Sequence, residues 1–334
     1  MINKSKNYDD LLYSLPLNIR SIIIKLSDHL KEGLEEIRLR IDRPLTVYAN
    51  NQERFLSADG NVVNSPNLAY IVTNEDCEKA LQLISKSSIY AFENELRNGY
   101  ITIKGGYRVG ICGKCVLDGE SVKTIVNISG LNYRIMRQCI GSSDEIMRYI
   151  VKYPDVVNNT LIISPPQCGK TTLIRDIARN ISNGMPELNF RGEKVSIVDE
   201  RSEIAACFKG IPQNDVGYRT DVLDLCPKHI GILMMIRSMS PKAIITDEIG
   251  KVEDIASIHE ALNAGVSIIT TVHGNDVEDV VRKKYIDEML NNREFDRYVI
   301  LSRKLGAGTI EAILDRDFNT IFKGPYRKEC KTIC

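Results

Sequence analysis

The sequence predicts an α/β protein of two domains: a C-terminal parallel sheet with flanking helices, preceded by a smaller α+β domain. The first observation is length, because 334 residues exceed one average domain. The second is that strand-like and helix-like segments alternate from Thr160 onward, which is typical of a parallel sheet covered by helices. The third is that the preceding residues mix both patterns without this alternation. We therefore predict one domain over residues 1–145 and a second over residues 146–334.

Composition and charge favour a soluble globular protein over a membrane-spanning protein or a nucleic-acid motor. The hydrophobic fraction of 43% is ordinary for a soluble globular protein. No apolar run approaches the roughly 20 residues of a membrane span, and the N-terminus lacks the apolar core of a signal peptide. The formal net charge is +0, whereas a nucleic-acid motor usually carries a basic excess. We expect a cytoplasmic protein with no direct membrane span and no nucleic-acid partner.

The N-terminal domain is predicted to begin with a helix, because apolar residues recur at helical spacing over Leu17–Leu34. Alternating patterns then predict strands over Glu36–Leu39 and Leu45–Tyr48, separated by a turn. A second helix is predicted to start near Thr73. From Gly99 to Val126 the pattern is β-rich and is interrupted by glycines.

The nine cysteines do not follow the spacing of a disulfide framework or a zinc site. Cys112 and Cys115 form a lone CxxC pair, and Cys330 and Cys334 are spaced too loosely to complete it. Cys168, inside the loop described next, suits a reducing compartment if it is a free thiol. We expect unpaired thiols rather than structural zinc.

A phosphate-binding loop is predicted at the start of the second domain. The buried strand Thr160–Ile163 is followed by a loop ending in Gly169, Lys170 and Thr171, and then by helical spacing, which is the order of a P-loop. The N–H groups of such a loop and the helix dipole bind phosphate. Gly169 allows close approach of the backbone, Lys170 supplies charge to the β- and γ-phosphates, and the Thr171 hydroxyl is a ligand for Mg²⁺. This pattern predicts ATP and Mg²⁺ as cofactors.

The loop departs from the common pattern at Ser164, which stands where such loops usually begin with glycine. Pro165 and Pro166 also lack N–H donors, although the amides of residues 167–171 remain. The predicted nucleotide-binding residues are Ser164, Pro165, Pro166, Gln167, Cys168, Gly169, Lys170, Thr171 and Thr172.

Two acids end the apolar strand that begins at Ala243. The carboxyl ends of parallel strands are where such sheets bind ligands. Asp247 is therefore predicted to hold Mg²⁺ through its water shell, and Glu248 to orient and deprotonate the attacking water.

A further strand, Lys194–Val198, lies between the two motifs in the sequence and also ends in acids, Asp199 and Glu200. A phosphate-loop strand and an Asp-Glu strand with another strand intervening are typical of RecA-like motors. This pattern favours a motor ATPase over a simple nucleotide kinase. A last apolar strand leads to His273, where a polar side chain is predicted to sense the γ-phosphate.

Taken together, these motifs resemble the stage III sporulation AA proteins, a family that itself resembles the ATPases of type II and type IV secretion systems and pili. The motifs that carry the resemblance are Ser164–Thr172, Val198–Ile204, Ile236–Lys242, Thr246–Gly250, Thr270–Gly274, Glu36–Arg40 and Gly105–Gly110. They extend over most of the chain.

The resemblance implies a ring hexamer that binds nucleotide between its two domains. It also implies a motor that drives a channel between mother cell and forespore, attached to the membrane through membrane proteins of that channel. Glu200 then belongs to an acidic box that arranges magnesium and water, and His273 to a histidine box. Arginines of the first domain supply charge to the phosphates in such enzymes, for which Arg108, Arg134 and Arg137 are candidates, and Arg237 is placed to read a neighbouring element.

Two alternatives share the same nucleotide site. One is a nucleic-acid translocase or helicase of the RecA-like class, against which the neutral charge speaks. The other is a scaffold that binds nucleotide without turnover, against which the intact pattern of Lys170, Thr171, Asp247 and Glu248 speaks.

Overall fold

The computed structural model describes residues 4–85, 93–97, 99–135, 138–328 and 331–333. The chain forms two compact units, one over Met1–Arg137 and one over Gln138–Ile333. Within the described ranges, no helix combines the length and the apolar character needed to cross a bilayer.

The first unit is an antiparallel sheet with helices. Its helices are α1 (Lys4–Tyr13), α2 (Leu17–Ile24), α3 (Asp28–Glu32), α4 (Asn74–Ser85) and α5 (Glu93–Arg97). Its strands are β1 (Leu34–Arg40), β2 (Thr46–Ala49), β3 (Gln52–Leu56), β4 (Val62–Val63), β5 (Tyr100–Thr102), β6 (Arg108–Asp118) and β7 (Ser121–Arg134). They pair in the order β4-β3-β2-β1-β7-β6-β5. One buried core joins the helices to the sheet and contains Leu15, Ile37 and Tyr133.

The single helix predicted over Leu17–Leu34 is instead two helices followed by the start of β1. Helix α2 ends at Ile24, and Ser27 then takes an extended conformation as the N-cap of α3. The Ser27 side chain makes no capping hydrogen bond, so the break consists of this extended backbone alone. The apolar spacing therefore continued across a break that it could not reveal.

The second unit contains the larger sheet. Its helices are α6 (Asp144–Ile150), α7 (Lys170–Asn183), α8 (Lys228–Met239), α9 (Val252–Asn263), α10 (Val277–Val281) and α11 (Asp287–Asn291). Its strands are β8 (Gln138–Ile140), β9 (Val151–Lys152), β10 (Val156–Val157), β11 (Thr160–Ser164), β12 (Val195–Asp199), β13 (Thr220–Asp224), β14 (Ala243–Glu248), β15 (Ser267–His273), β16 (Arg297–Ser302), β17 (Thr309–Leu314), β18 (Thr320–Tyr326) and β19 (Lys331–Ile333). Short 3₁₀ turns occur at Pro66–Leu68 and Pro186–Leu188.

Eight of these strands form one sheet, in the order β13-β12-β14-β15-β11-β16-β17-β18. The strands from β13 to β16 are parallel, and both faces of the sheet are covered. Ile162 packs on one face with α7, whereas Leu161 and Ile163 pack on the other with α8 and α9. Alternate residues of one strand point to opposite faces, so a continuous apolar run fits a strand between two helix layers.

The predicted parallel sheet is corrected at one edge, because β17 and β18 run antiparallel to their neighbours. A short loop follows β16, and only antiparallel neighbours can be joined by so few residues. The strand between β11 and the Asp-Glu strand β14 is β15, not β12.

The boundary between the units precedes the predicted one at residue 145. Strand β8 pairs with β19 inside the second unit. The backbone N–H groups of Gly141 and Ser143 donate to Asp176 of α7, at 3.1 and 2.8 Å. These hydrogen bonds attach the segment before α6 to the second unit.

The cysteines differ in part from the expectation of unpaired thiols. Cys112 and Cys115 are exposed free thiols on β6, and Cys168 is a buried free thiol. Cys139 of β8, by contrast, is disulfide-bonded.

Candidate nucleotide-binding site

The loop between β11 and α7 lies at the carboxyl edge of the parallel sheet. Strand β11 is buried along its whole length and ends at Ser164, and α7 begins at Lys170. Gly169, the N-cap of α7, has a φ of +85°, which L side chains rarely adopt. A Cβ atom there would lie 3.0 Å from the backbone nitrogen of Gly308. Only glycine fits this position without displacing the neighbouring loop.

The N-terminus of α7 has no side-chain cap. The first N–H groups of a helix have no partner within the helix, and they carry the positive end of its dipole. They border a cavity of about 670 Å³, large enough to take a nucleotide's phosphates. Its lining residues are Pro166, Gln167, Gly169, Lys170, Thr171, Thr172, Glu203, Glu248, His273 and Ala307.

Lys170 is held at this cavity by two contacts. Its Nζ donates to the carbonyl of Ser164 at 3.3 Å and lies 3.1 Å from Oε2 of Glu248. The Lys170 side chain is 14% exposed and that of Glu248 is 45% exposed. Among the described residues that line the cavity, Lys170 is the one lysine or arginine. The predicted phosphate-binding lysine and the predicted base therefore meet at one point.

The other residues of the loop divide into two groups. Pro166, Gln167 and Thr172 line the cavity with Gly169, Lys170 and Thr171. Ser164 and Cys168 are buried instead, and Ser164 donates its hydroxyl to the carbonyl of Pro165 at 2.9 Å.

Asp247 and Glu200 are joined by a lysine that the sequence analysis did not select. Lys228, the first residue of α8, donates to Oδ1 of Asp247 at 2.9 Å and also to Glu200. Its side chain is 6% exposed. Burial raises the pKa of Asp247 to about 6, although the charge of Lys228 acts in the opposite direction.

Asp199 stabilises the loop that follows β12. It is fully buried, and its carboxylate accepts N–H hydrogen bonds from Glu203, Ile204 and Ala205 at 2.8–2.9 Å. Burial raises its pKa to about 6 against these hydrogen bonds. The buried Arg175 of α7 binds the carbonyls of the same loop. Together they fix the loop that carries Glu203 to the cavity.

His273 ends β15, the strand directly beside β11, and is paired in register with Ser164. It lines the cavity with Lys170 and Glu248. The N–H of Gly274 donates to the carbonyl of Ser164 at 3.2 Å, and Lys283 binds the carbonyl of His273. These contacts tie the end of β15 to the phosphate loop.

The predicted arginines of the first domain belong, where the structure describes them, to the first unit. Arg108 and Arg134 are cross-strand partners on β6 and β7 of the first unit. Arg108 lies over the ring of Tyr100, and Arg134 lies 4.0 Å from Glu36. Arg137 lies outside the described residues.

Arg237 does belong to the second unit, but it lies in the last turn of α8. It is exposed, about 13 Å along the helix from Lys228. The predicted contact of Arg237 with a neighbouring element therefore lies at a surface other than that of the cavity.

Thr171 and Asp247 were predicted as magnesium ligands. In the described ranges no group of three or more His, Cys, Asp or Glu side chains could hold a metal alone. Thr171 lines the cavity, whereas Asp247 is not among its lining residues and accepts a hydrogen bond from Lys228. A magnesium ion that arrives with phosphate oxygens keeps several waters and uses one or two protein ligands, so the Thr171 hydroxyl fits such an ion directly and Asp247 fits it through water.

Three features of the site escaped the sequence analysis. Glu203 lies within the motif Val198–Ile204 and has no sequence signal of its own for the cavity, and Ala307 belongs to the loop after β16. Lys228 meets acids that lie 28 and 19 residues away in sequence. The one local signal for Lys228 is that it follows Pro227, because a proline at this position is typical of a helix start.

Comparison with known proteins identifies the family. Residues 5–321 match the family described as sporulation stage III, protein AA. The chain belongs to this family. It is 42% identical over 316 residues to stage III sporulation protein AA of Bacillus subtilis, covering 95% of this chain and 98% of that protein. It is also 25% identical over 288 residues to SEEDLING PLASTID DEVELOPMENT 1 of Arabidopsis thaliana, covering 86% of this chain but 36% of that protein.

Solved structures place this sporulation protein in the fold of secretion and pilus ATPases. The ATPase DotB of Yersinia pseudotuberculosis aligns with a TM-score of 0.58 at 14% identity, covering 91% of this chain and 81% of that one. The pilus retraction motor PilT with bound ADP aligns with a TM-score of 0.52 at 14% identity, covering 81% and 75%. At such identity the likeness shows the fold alone. It confirms the predicted RecA-like class.

Proposed function

We propose that this sporulation stage III protein hydrolyses ATP and uses the free energy to drive a secretion-like channel. The observation that carries the proposal is the contact of Lys170 with Glu248 over the N-terminus of α7. It joins a phosphate-binding cation and a candidate base at the N-terminus of a helix that has no side-chain cap.

The proposed mechanism uses these groups in sequence. The amides of residues 167–171 and the charge of Lys170 bind the phosphates, so Lys170 exchanges the carboxylate of Glu248 for phosphate oxygens. Glu248 is then free to orient a water molecule and accept its proton. His273, at the neighbouring strand end, hydrogen-bonds near the γ-phosphate.

Magnesium would be held by the Thr171 hydroxyl and, through water, by Asp247. When bound it would neutralise phosphate charge. Glu200 lies beside Asp247 through Lys228 and would help to orient the waters of this side of the site.

The site of one unit supplies few cations for a triphosphate. Lys170 is the one lysine or arginine among the described lining residues. We propose that arginines of the first domain, with Arg108, Arg134 and Arg137 as candidates, complete it in a ring of six copies. A trans-acting arginine is worth about 10³–10⁵ in rate where it has been characterised.

The likeness to secretion and pilus ATPases, together with the sporulation family, supports a motor in a channel between mother cell and forespore. Membrane proteins of that channel would hold the motor at the membrane from the cytoplasmic side.

Phosphate release by the purified chain tests the enzymatic part. Lys170→Ala and Glu248→Gln should each lower the steady-state rate about a hundredfold or more. Lys152→Ala and Glu253→Gln are matched controls, because both residues are exposed and lie outside the cavity lining. Normal turnover by Lys170→Ala or Glu248→Gln would refute the assignment. Stimulation by DNA that is lost at higher salt would favour a nucleic-acid translocase instead.

Mass measurement of the chain with and without ATP tests the ring. A species of six copies in the presence of ATP is expected. A chain that stays monomeric at high concentration with ATP, and still turns over, would contradict the ring.

A further inference from the structure

Lys228 is a buried lysine that lies between two acids near the carboxyl edge of the sheet. The mechanism proposed above gives this lysine no role of its own. Its side chain is 6% exposed, and it binds Asp247 and Glu200 at once. A buried lysine without partners would be strongly disfavoured, so its position depends on these two acids. The acids depend on it equally, because Glu200 directly follows β12 and Asp247 lies near the end of the neighbouring β14, and they would repel each other without a cation between them.

The position of Lys228 follows from the chain around it. It follows Pro227, the N-cap of α8, and this helix packs against α9 and β12. Gly231, one turn later, faces Val198 so closely that a Cβ there would lie 2.5 Å from that side chain. The helix therefore lies tightly against β12, which Glu200 follows, and this packing fixes the backbone of Lys228 beside the two acids.

The following inference rests on the function proposed above, in which Asp247 holds magnesium through water. We propose that Lys228 is a positioning residue: it holds Asp247 and Glu200 together before nucleotide binds and gives up Asp247 when a magnesium–nucleotide complex binds. Two cations at one carboxylate repel each other, so Lys228 and magnesium compete for Asp247. Lys228 thereby substitutes for the metal's charge in the empty site.

This arrangement makes a prediction about charge. Lys228, Asp247 and Glu200 together carry one net negative charge when ionised, and Lys228→Met would raise this to two. Nucleotide without metal should then bind more weakly, because its phosphates meet more negative charge. Magnesium should improve binding more than it does in the wild type, because its competitor is absent.

The test uses ADP binding by the full chain, measured by calorimetry with Mg²⁺ and with EDTA. The ratio of the dissociation constant in EDTA to that in Mg²⁺ should rise about tenfold in Lys228→Met. Lys228→Arg, which keeps the charge, should restore the wild-type ratio. In Glu200→Gln the ratio should fall, because Lys228 then has Asp247 as its single acidic partner. The double variant Lys228→Met/Glu200→Gln keeps the wild-type net charge but lacks the competitor, so its ratio should lie between those of the wild type and Lys228→Met, and it remains informative if Lys228→Met alone does not fold.

Lys242→Met is the matched control. This exposed lysine precedes the amino end of β14, about 16 Å from Asp247 along the strand, and its loss should leave the ratio unchanged. If Lys228→Met weakens both dissociation constants equally, Lys228 is only structural and the inference is overturned. If the wild type binds no ADP under either condition, the proposed function fails, and this inference with it.

Discussion

The close approach of two backbones at the phosphate loop predicts a large effect of Gly169→Ala. Two terms contribute. The left-handed φ of +85° costs about 1–2 kcal/mol for a residue with a Cβ. The new Cβ would also lie 3.0 Å from the nitrogen of Gly308, so that backbone must give by a few tenths of an ångström.

That shift acts on a hydrogen bond. The N–H of Gly308 donates to the carbonyl of Cys168 at 2.9 Å. Weakening this bond removes up to about 1 kcal/mol. We expect Gly169→Ala to lower the free energy of unfolding of the second unit by about 2–3 kcal/mol. Nucleotide affinity should also fall, because the amides after Gly169 move.

The chain offers a control for each term. Gly308 has the same φ of +85°, but a Cβ there would meet nothing within 4 Å. Gly308→Ala should therefore show the φ term alone, about 1–2 kcal/mol. Urea unfolding of both variants and ADP titration separate the effects. Equal stability and equal ADP affinity of the two variants would refute the reasoning from close approach.

Three further substitutions test the fold around the site and in the first unit. Arg175→Met should lower the free energy of unfolding by about 3 kcal/mol, and the melting temperature with it, because the buried guanidinium binds the carbonyls of Glu203 and Ile204. A loss below about 0.5 kcal/mol would contradict this. Asp76 has a lowered pKa, since hydrogen bonds outweigh the burial that raises it. Its stabilisation is present above the unfolded pKa of about 3.9 and is lost as pH falls through the lower folded value, so Asp76→Asn should flatten the acid limb of unfolding; an unchanged limb would count against it. Tyr133→Phe should remove about 1 kcal/mol, measured by urea unfolding, because the buried hydroxyl donates to the carbonyl that follows α1; a variant as stable as the wild type would exclude that bond.

The sequence predicted the strand, loop and helix around Lys170 well because their signals are local. Strand, loop and helix start follow one another within residues 160–183, and Gly169, Lys170 and Thr171 are consecutive in the sequence. The strand ends at Asp247 and His273 could be predicted for a related reason. Parallel strands bring their carboxyl ends to one edge, so their order in space matters less than their direction.

What the sequence could not predict depends on pairs that are distant along the chain. Lys228 is unremarkable in its own segment, and its role appears only when β12 and β14 lie side by side. The approach of Gly308 to Gly169 likewise requires the antiparallel addition of β17. The break between α2 and α3 was missed for a local reason, because the apolar spacing continues across the extended backbone at Ser27 that separates the two helices.

The nucleotide that remains bound to Glu248→Gln after incubation with ATP tests the central claim most directly. The purified chain would be separated from free nucleotide, denatured and analysed by chromatography, beside the wild type and Lys170→Ala. We predict ATP on Glu248→Gln, ADP on the wild type and no nucleotide on Lys170→Ala. ADP on Glu248→Gln in the same amount as on the wild type would contradict the claim that Glu248 activates the attacking water.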